Sequence, residues 1–194
     1  MSGKFIVFEG VEGAGKTTQI QKTYKFLQDH GKRVIITREP GGTELGLKFR
    51  HILLDDSLQN PLSDRTELLL YAADRAQHME ELIKPALAEG VMILCDRFTD
   101  STIAYQGYGR GLDLELIHQL NKIATEGLES HLTFWLKIDV RIGLERTKKR
   151  GDCNRMEKAT LQFHQRVESG FQTLAEEYPH RIIPIDSSQT EEMV

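Results

Sequence analysis

The stretch FIVFEGVEGAGKTT, residues 5–18, decides the fold of this 194-residue chain. Its first four residues form a continuously apolar run, which is typical of a parallel strand covered on both faces. The run leads into the pattern G-x-x-x-x-G-K-[ST], in the setting that a phosphate-binding loop requires, after a strand and at the start of a helix. The glycines let successive backbone N–H groups face one anion. The sequence therefore predicts a loop that holds the phosphates of a nucleoside triphosphate.

Two side chains of this loop carry specific chemistry. The Lys16 ammonium supplies a cation for the β- and γ-phosphates, and the Thr17 hydroxyl is suited to ligate Mg²⁺. We expect the whole segment to bind the nucleotide: Gly10, Val11, Glu12, Gly13, Ala14, Gly15, Lys16, Thr17 and Thr18.

Short apolar runs alternate with helical patterns along the rest of the chain. The runs predict strands at residues 5–8, 34–36, 91–94, 132–138 and 182–185, and Pro184 favours an edge position for the last of them. Apolar spacing predicts a helix that ends near Gly31, one from Ser63 through Leu82 that Pro85 bends or divides, one from Asp113 to Gly127, and two over about 140–149 and 158–177. This alternation indicates one α/β domain of the doubly wound type over residues 1–194.

Composition excludes several classes of protein. Lys and Arg number 25 against 29 Asp and Glu, and the net charge of −4 argues against a protein that coats nucleic acid. No apolar run approaches the roughly 20 residues that cross a bilayer, and no secretory signal begins the chain. Two cysteines, Cys95 and Cys153, are too few for a disulfide scaffold. We expect a reduced cytoplasmic protein with Cys95 buried, Cys153 in a loop and no structural zinc.

A GTPase is also excluded, since the chain has no D-x-x-G segment. The sequence Asn121-Lys122-Ile123-Ala124 begins like the guanine-reading N-K-x-D motif but has alanine in place of the aspartate. It lies in an amphipathic pattern, with Leu116, Ile117, Leu120, Ile123 and Ala124 predicted on one helix face.

Asp96 and Arg97 follow the third predicted strand. A carboxylate at the carboxyl end of that strand would meet Mg²⁺ beside the phosphate loop. Arg97 makes sense where a second anion, an acceptor phosphate, must be held in line with the γ-phosphate. A phosphate acceptor is already largely ionised at neutral pH, so it needs positioning rather than a general base.

Two further groups of residues allow either a structural or a functional interpretation. Tyr71 and Arg75 share a helix face at spacing i, i+4, where they would suit a pyrimidine base, although periodicity favours a core tyrosine and a solvated ion-pair arginine. Residues 146–150 carry four cations, which suit either a solvated helix end or a mobile lid over about 146–156 that brings Arg150, with Arg146 or Lys148, onto the phosphates.

The motifs together resemble those of the thymidylate kinase (dTMP kinase) family of bacterial type, from the first strand to Asp186. The matching segments are residues 8–18, TREPGGT at 37–43, YAADR at 71–75, DRF at 96–98 and AYQG at 104–107. The resemblance implies a P-loop kinase with a five-stranded parallel sheet and a mobile lid. It implies transfer of the γ-phosphoryl group of ATP to dTMP with Mg²⁺, giving dTDP for DNA precursors, by a homodimer that binds neither nucleic acid nor membrane. It also implies a further helix beyond Asp186, which we expect to be truncated in a chain that ends at Val194.

The resemblance implies a role for each acceptor-site residue. Tyr71 would stack on thymine, and Arg75, Thr102 and Gln106 would contact the base. Tyr105 would lie against the sugar and exclude a 2′-hydroxyl, and Glu12 would reach the 3′-hydroxyl. Arg50 and Arg97 would hold the acceptor phosphate. The catalytic set would then be Lys16, Arg97, Arg150 and Glu12, with Thr17 and Asp96 at the metal.

Two other functions remain open from the residues alone. One is a kinase for another small acceptor, and the other is a nucleotide-dependent switch or assembly ATPase with no small acceptor. ADP release that depends on dTMP would separate the first function from both.

Overall fold

The sheet that carries the phosphate loop is parallel throughout. In a computed structural model, which describes residues 3–57, 59–151, 154–191 and 193–194, five strands form this sheet in the order β2-β3-β1-β4-β5. The strands are β1 (Phe5–Glu9), β2 (Val34–Arg38), β3 (Met92–Asp96), β4 (Leu132–Lys137) and β5 (Ile182–Asp186). All five predicted strands are confirmed. β1 is central and its side chains are almost all buried, whereas β5, with Pro184, lies at an edge.

Helices cover both faces of this sheet. They are α1 (Lys16–Asp29), α2 (Glu44–Leu54), α3 (Asp64–His78), α4 (Lys84–Ala88), α5 (Thr99–Thr102), α6 (Leu114–Thr125), α7 (Val140–Arg150) and α8 (Leu161–Glu177). Two π-helical segments, Met79–Ile83 and Ile103–Gly109, continue α3 and α5. The fold is the predicted α/β arrangement with a parallel sheet.

Local signals fix most helix starts. The Ser63 side chain accepts a hydrogen bond from the Thr66 N–H, and the Asp113 carboxylate accepts one from the Leu116 N–H, as N-cap residues do. The helix predicted from Ser63 is divided near Pro85, as one of the two predicted outcomes: a π-helical segment ends at Ile83, and Pro85 lies in the first turn of α4.

Two parts of the helical prediction differ from the structure. Residues 44–54 and 99–109 are helical, although no element was predicted for either segment. The second segment begins with polar residues and contains two glycines, which are unfavourable signals for a helix. The apolar face predicted for α6 is also divided: Ile117 and Ala124 are buried, but Leu116 and Ile123 are exposed on the opposite flank.

The order of the strands positions the loops. Phe8 of β1 is in register with Asp96 of β3, and β2 pairs with β3 on its other side. The segments that follow these three strands therefore meet at one edge of the sheet. Cys95 on β3 is buried, as expected, whereas Cys153 lies outside the described residues. Within the described ranges, no helix is both long and apolar enough to cross a membrane.

Candidate active site

A cleft of about 460 Å³ opens at the carboxyl ends of β1, β2 and β3. It is lined by most of the residues that the sequence analysis singled out: Glu12, Gly13, Ala14, Gly15, Lys16, Thr17, Thr18, Arg50, Tyr71, Arg75, Asp96, Arg97, Thr102, Tyr105, Gln106 and Arg146. Gly10 and Val11 begin the same loop but do not line the cleft. Only the backbone of Arg150 is described, so the prediction for its side chain falls outside the described part of the structure.

The side chain of Lys16 is hydrogen-bonded to the backbone of the phosphate loop. The Lys16 ammonium donates to the carbonyl oxygens of Gly10 and Val11, at 3.0 and 3.1 Å. Burial, and then the neighbouring Arg97 cation, lowers the pKa of Lys16 to about 8. An incoming phosphate would favour the charged form, so the loop holds a cation whose best partner is an anion from outside the chain.

Two glycines bring the loop into contact with α7. Gly13 has a φ of +73°, and a Cβ atom built on it would lie 2.2 Å from the carbonyl oxygen of Gly143. A Cβ atom on Gly143 would in turn lie 2.3 Å from the carbonyl oxygen of Glu12. Both positions therefore require glycine, and the loop packs directly on the first turns of α7.

Arg97 is held in a conformation that non-glycine residues rarely adopt. Its φ is +72°, a state that costs on the order of 1–3 kcal/mol. Two backbone hydrogen bonds hold this conformation. The Arg97 N–H donates to the Phe8 carbonyl oxygen at 3.0 Å, and the Phe98 N–H donates to the Glu9 carboxylate at 2.8 Å. The guanidinium reaches Ser101 Oγ at 3.1 Å and, with 18% of its side chain exposed, borders the cleft.

Glu9 is a site residue that the sequence analysis missed. It is fully buried, and its carboxylate accepts hydrogen bonds from the Phe98 and Ser101 N–H groups and from the Ser101 hydroxyl. Burial, and then repulsion from Asp100, raises the pKa of Glu9 to about 7. Its position directly before Gly10 was the available signal, because an acid in an apolar strand needs buried donors.

Glu12 joins the phosphate loop to the opposite wall of the cleft. Its carboxylate accepts from Arg97 Nη2 at 3.0 Å and from the Tyr105 hydroxyl at 2.9 and 2.7 Å. Burial works to raise the pKa of Glu12, but Arg97 and Lys16 outweigh it and hold the pKa below its ordinary value. The Arg97 guanidinium also lies over the Tyr105 ring, 4.9 Å from its centroid.

Arg75 is not the solvated ion-pair residue that periodicity favoured. It is 1% exposed, and its Nε donates to Glu39 Oε2 at 2.8 Å. Its Nη1 donates to Asn121 Oδ1 at 2.7 Å, and its Nη2 donates to the Phe98 carbonyl oxygen and to Thr102 Oγ1. These contacts with described residues use four of the five guanidinium N–H groups, which leaves one on Nη1, and Arg75 lines the cleft.

Other predicted acceptor residues have fixed partners as well. Gln106 is buried, and its side-chain N–H donates a hydrogen bond to the Glu67 carboxylate. The same carboxylate also accepts hydrogen bonds from Arg110 and Arg155. Tyr71 lies half-buried in the wall of the cleft rather than in the core, and burial raises the pKa of its hydroxyl.

Cations gather where the acceptor phosphate was predicted. Arg50 donates to the Pro40 carbonyl oxygen at 3.0 Å and lines the cleft with Arg38 and Arg97. Burial, and then repulsion from Arg38, lowers the pKa of Arg50. Three arginines that line the same part of the cleft make this a candidate anion site.

Asp96 and Thr17 are the candidate metal ligands, and both line the cleft. Asp96 Oδ1 is buried and has no hydrogen-bond partner among the described residues, which is unusual for a carboxylate oxygen. Oxygen ligands of this kind fit Mg²⁺, which usually binds one or two protein groups and completes its shell with phosphates and water. The donor set therefore fits the ion.

The basic end of α7 lies beside the same cleft. Arg146 donates to the Gly13 carbonyl oxygen at 3.3 Å, and Thr147, Asn154, Met156 and Glu157 line the cleft. Lys148 and Lys149 are exposed. The predicted lid segment thus borders the phosphate loop, but Asp152 and Cys153 within it lie outside the described residues.

Comparison with known proteins agrees with this arrangement. The profile described as "Thymidylate kinase" matches residues 8–194. The chain belongs to the thymidylate kinase family. Thymidylate kinases of Nostoc punctiforme and Trichodesmium erythraeum are 58% and 57% identical to it, over 100% of this chain and 92% of each relative. The crystal structure of the Ehrlichia chaffeensis thymidylate kinase superposes with a TM-score of 0.79 at 37% identity, covering 96% of this chain and 88% of that one.

Family membership establishes the reaction. Thymidylate kinases transfer the γ-phosphoryl group of ATP to dTMP and release dTDP, and this chain is an enzyme of that activity. ATP and dTMP are its small-molecule substrates, so the open alternatives of a switch or an assembly ATPase are excluded.

Proposed function

We propose that dTMP binds in the half of the cleft formed by α3 and residues 97–106, and that ATP binds on the phosphate loop. The observation that carries this proposal is the link from Glu12, inside the loop, to Arg97 and Tyr105 on the acceptor wall. Because these three groups bond one another, the loop that holds the donor and the wall that holds the acceptor share one hydrogen-bond network.

On the acceptor side, the base is stacked on Tyr71 and read by the remaining Nη1 N–H of Arg75. Thr102 and Gln106 complete the wall that the base faces. The arrangement is rigid because the side chains of Arg75 and Gln106 are each bonded to buried carboxylates, of Glu39 and Glu67. A buried donor aimed at a carbonyl oxygen rejects bases that present a donor there.

The sugar and phosphate of dTMP take the next positions along the cleft. Tyr105 lies against C2′ and leaves no room for a ribose hydroxyl, and Glu12 accepts from the 3′-hydroxyl. Arg50 and Arg97 hold the phosphate, which is supported by the three arginines, Arg38, Arg50 and Arg97, that line this part of the cleft. The acceptor is already an anion near neutral pH, so these residues orient it for in-line attack and no general base is required.

On the donor side, residues 10–18 surround the phosphates of ATP and Lys16 neutralises the charge that develops in the transition state. Arg146 and Arg150 add cations from a lid over about residues 146–156, in a chain that acts as a single kinase unit. Thr17 and Asp96 would hold Mg²⁺, and that ion, when bound, neutralises phosphate charge and orients the γ-phosphoryl group. The unpaired Oδ1 of Asp96 supports this assignment.

We also propose that the enzyme is a cytoplasmic homodimer. Support for the dimer comes from α2, α3 and α6, which pack beside one another and expose large apolar side chains: Ile52, Leu69, Leu116 and Ile123. Light scattering should give twice the mass of the chain, and Ile123→Glu should reduce it toward the monomer. The free thiol of Cys95 is consistent with a reducing compartment.

An acceptor panel tests the proposed site. ADP release is measured with dTMP, dUMP, UMP, dCMP, AMP and GMP, with Mg²⁺ and with excess chelator. We expect dTMP to be the best acceptor, the deoxy form of uridylate to exceed the ribo form, and chelation to abolish turnover. Equal turnover of dTMP and AMP would contradict the assigned base contacts, and turnover that survives chelation would remove the metal from the proposal.

A further inference from the structure

His164 on α8 is a buried titratable group for which the proposed mechanism has no use. It is 0% exposed, and neither ring nitrogen has a hydrogen-bond partner among the described residues. An imidazole in this state forfeits the hydrogen bonds that water would supply in the unfolded chain, which is a net cost to folding. Packing alone does not explain it, since a phenylalanine would fill the same space without that cost.

The nearest partner of this imidazole is the Glu12 carboxylate. His164 Nδ1 lies 3.6 Å from Glu12 Oε2, a few tenths of an ångström beyond hydrogen-bond distance. His164 itself does not line the cleft, whereas Glu12 does. The imidazole therefore stands behind the carboxylate on the side away from the substrates.

The acceptor capacity of Glu12 shows what a third donor would do. A carboxylate has about four lone-pair positions. Arg97 and the Tyr105 hydroxyl occupy two of them. A bond from His164 would occupy a third, on Oε2, and the carboxylate would be fixed from three sides with one position left toward the cleft.

Burial favours the neutral form of the imidazole. Burial is the main cause that lowers the pKa of His164, and Arg97 and Arg110 act with it against the opposing Glu12 and Glu157. A neutral imidazole donates one proton and leaves the charge of the carboxylate unchanged.

We propose that His164 is a positioning residue, which donates its Nδ1 proton to Glu12 Oε2 and so orients the carboxylate toward the 3′-hydroxyl of the acceptor. This inference rests on the proposed role of Glu12. It assigns to α8, behind the site, a part in recognising the deoxyribose.

The test compares two substrates in three proteins. Dissociation constants and kcat/KM are measured for dTMP and for 3′-deoxythymidine monophosphate in the wild type, His164→Leu and His164→Asn. Leucine and asparagine have the same branching, and only the asparagine amide can replace the Nδ1 donor. We expect the wild type to prefer dTMP, His164→Leu to reduce that preference about tenfold, and His164→Asn to keep it within about threefold.

Each outcome decides one of the two assignments. A wild type that does not distinguish the two nucleotides contradicts the role of Glu12 and, with it, that of His164. A wild-type preference that His164→Leu leaves intact contradicts His164 alone. Thermal unfolding without nucleotide is measured for every variant, and if His164→Leu does not fold, His164→Phe, which keeps a planar ring beside Phe163, takes its place.

Discussion

The proposed acceptor side and the proposed lid side of the cleft hold their cations in different ways. On the acceptor side, Arg75 and Arg97 are buried or nearly so, and each is held by several hydrogen bonds to fixed groups. On the lid side, Arg146, Lys148 and Lys149 are exposed, and among the described residues Arg146 donates to the phosphate loop at 3.3 Å. In the proposed assignment, the acceptor cations are therefore already fixed by the folded chain, whereas the lid cations are exposed. Preorganised groups give specificity, and groups that move can act selectively in the transition state.

Lys16 belongs to the preorganised region but acts on the transferring group, so its loss should have the largest effect. Lys16→Met keeps the length and apolar stem of the side chain and removes the charge. We expect kcat to fall about 10²–10³-fold, while the melting temperature without nucleotide changes little. Steady-state kinetics and calorimetry measure both, and activity within a few-fold of wild type would contradict the assignment of the phosphate loop.

The lid side is tested by Arg150→Ala. We expect kcat to fall about 10²-fold because one transition-state charge contact is lost, while the dissociation constant of dTMP stays near wild type. Arg141→Ala, an exposed arginine on the same helix outside the cleft, is the matched control and should leave both quantities unchanged. If Arg150→Ala weakened dTMP binding and spared kcat, the lid would belong to the acceptor site and the contrast between the two sides would fail.

Tyr105 tests specificity on the acceptor side. Tyr105→Ala opens space beside the sugar, and we expect kcat/KM for UMP relative to dUMP to rise about tenfold. Tyr105→Phe keeps the ring and removes only the hydroxyl that donates to Glu12, so the ratio should stay near wild type while turnover of both falls. An unchanged ratio in Tyr105→Ala would place the exclusion of ribose elsewhere.

The smallest expected effect concerns the stability of the acceptor wall. Burial, and then repulsion from Glu39, raises the pKa of Asp74 from 3.8 to about 6. Protonation of Asp74 therefore favours the folded state. Because the folded pKa exceeds the unfolded value, this contribution to the free energy of unfolding is complete below about pH 4 and is lost as pH rises through 6.

Asp74→Asn should remove that pH dependence. Between pH 4 and 7.5, we expect the free energy of unfolding of the wild type to fall by about 2 kcal/mol relative to the variant. Urea unfolding at each pH measures the difference, with the exposed Asp29→Asn as the control. Parallel curves for wild type and Asp74→Asn would show that the pKa of Asp74 is the same in the folded and unfolded states.

The same contrast explains which features could be predicted from sequence. The strands and the phosphate loop follow from local patterns, since an apolar run and a glycine spacing carry their own physical cause. The environment of Arg75 does not, because its partners Glu39 and Asn121 lie 36 and 46 residues away along the chain. For the same reason periodicity gave the wrong exposure for Arg75, and neither Glu9 nor His164 drew attention in the sequence. The roles of Lys16, Thr17, Asp96 and Arg97 follow from motifs, whereas those of the base- and sugar-contacting residues came from the family resemblance, and all of them stay predictions until the variants are measured.

The contact between Gly13 and Gly143 limits how α7, which carries the lid cations, can move relative to the phosphate loop. Because α7 is pinned near its start, closure would be a swing about that pivot and not a sliding of the whole helix. From Gly143 to the end of α7 at Arg150 the lever is about 10 Å long, at 1.5 Å for each residue. A tilt of about 20° at the pivot would carry the far end roughly 3–4 Å, about the reach of one hydrogen bond. Any side chain larger than glycine at the pivot would alter the starting angle of the lever and, through it, the distance that the lid cations must cover.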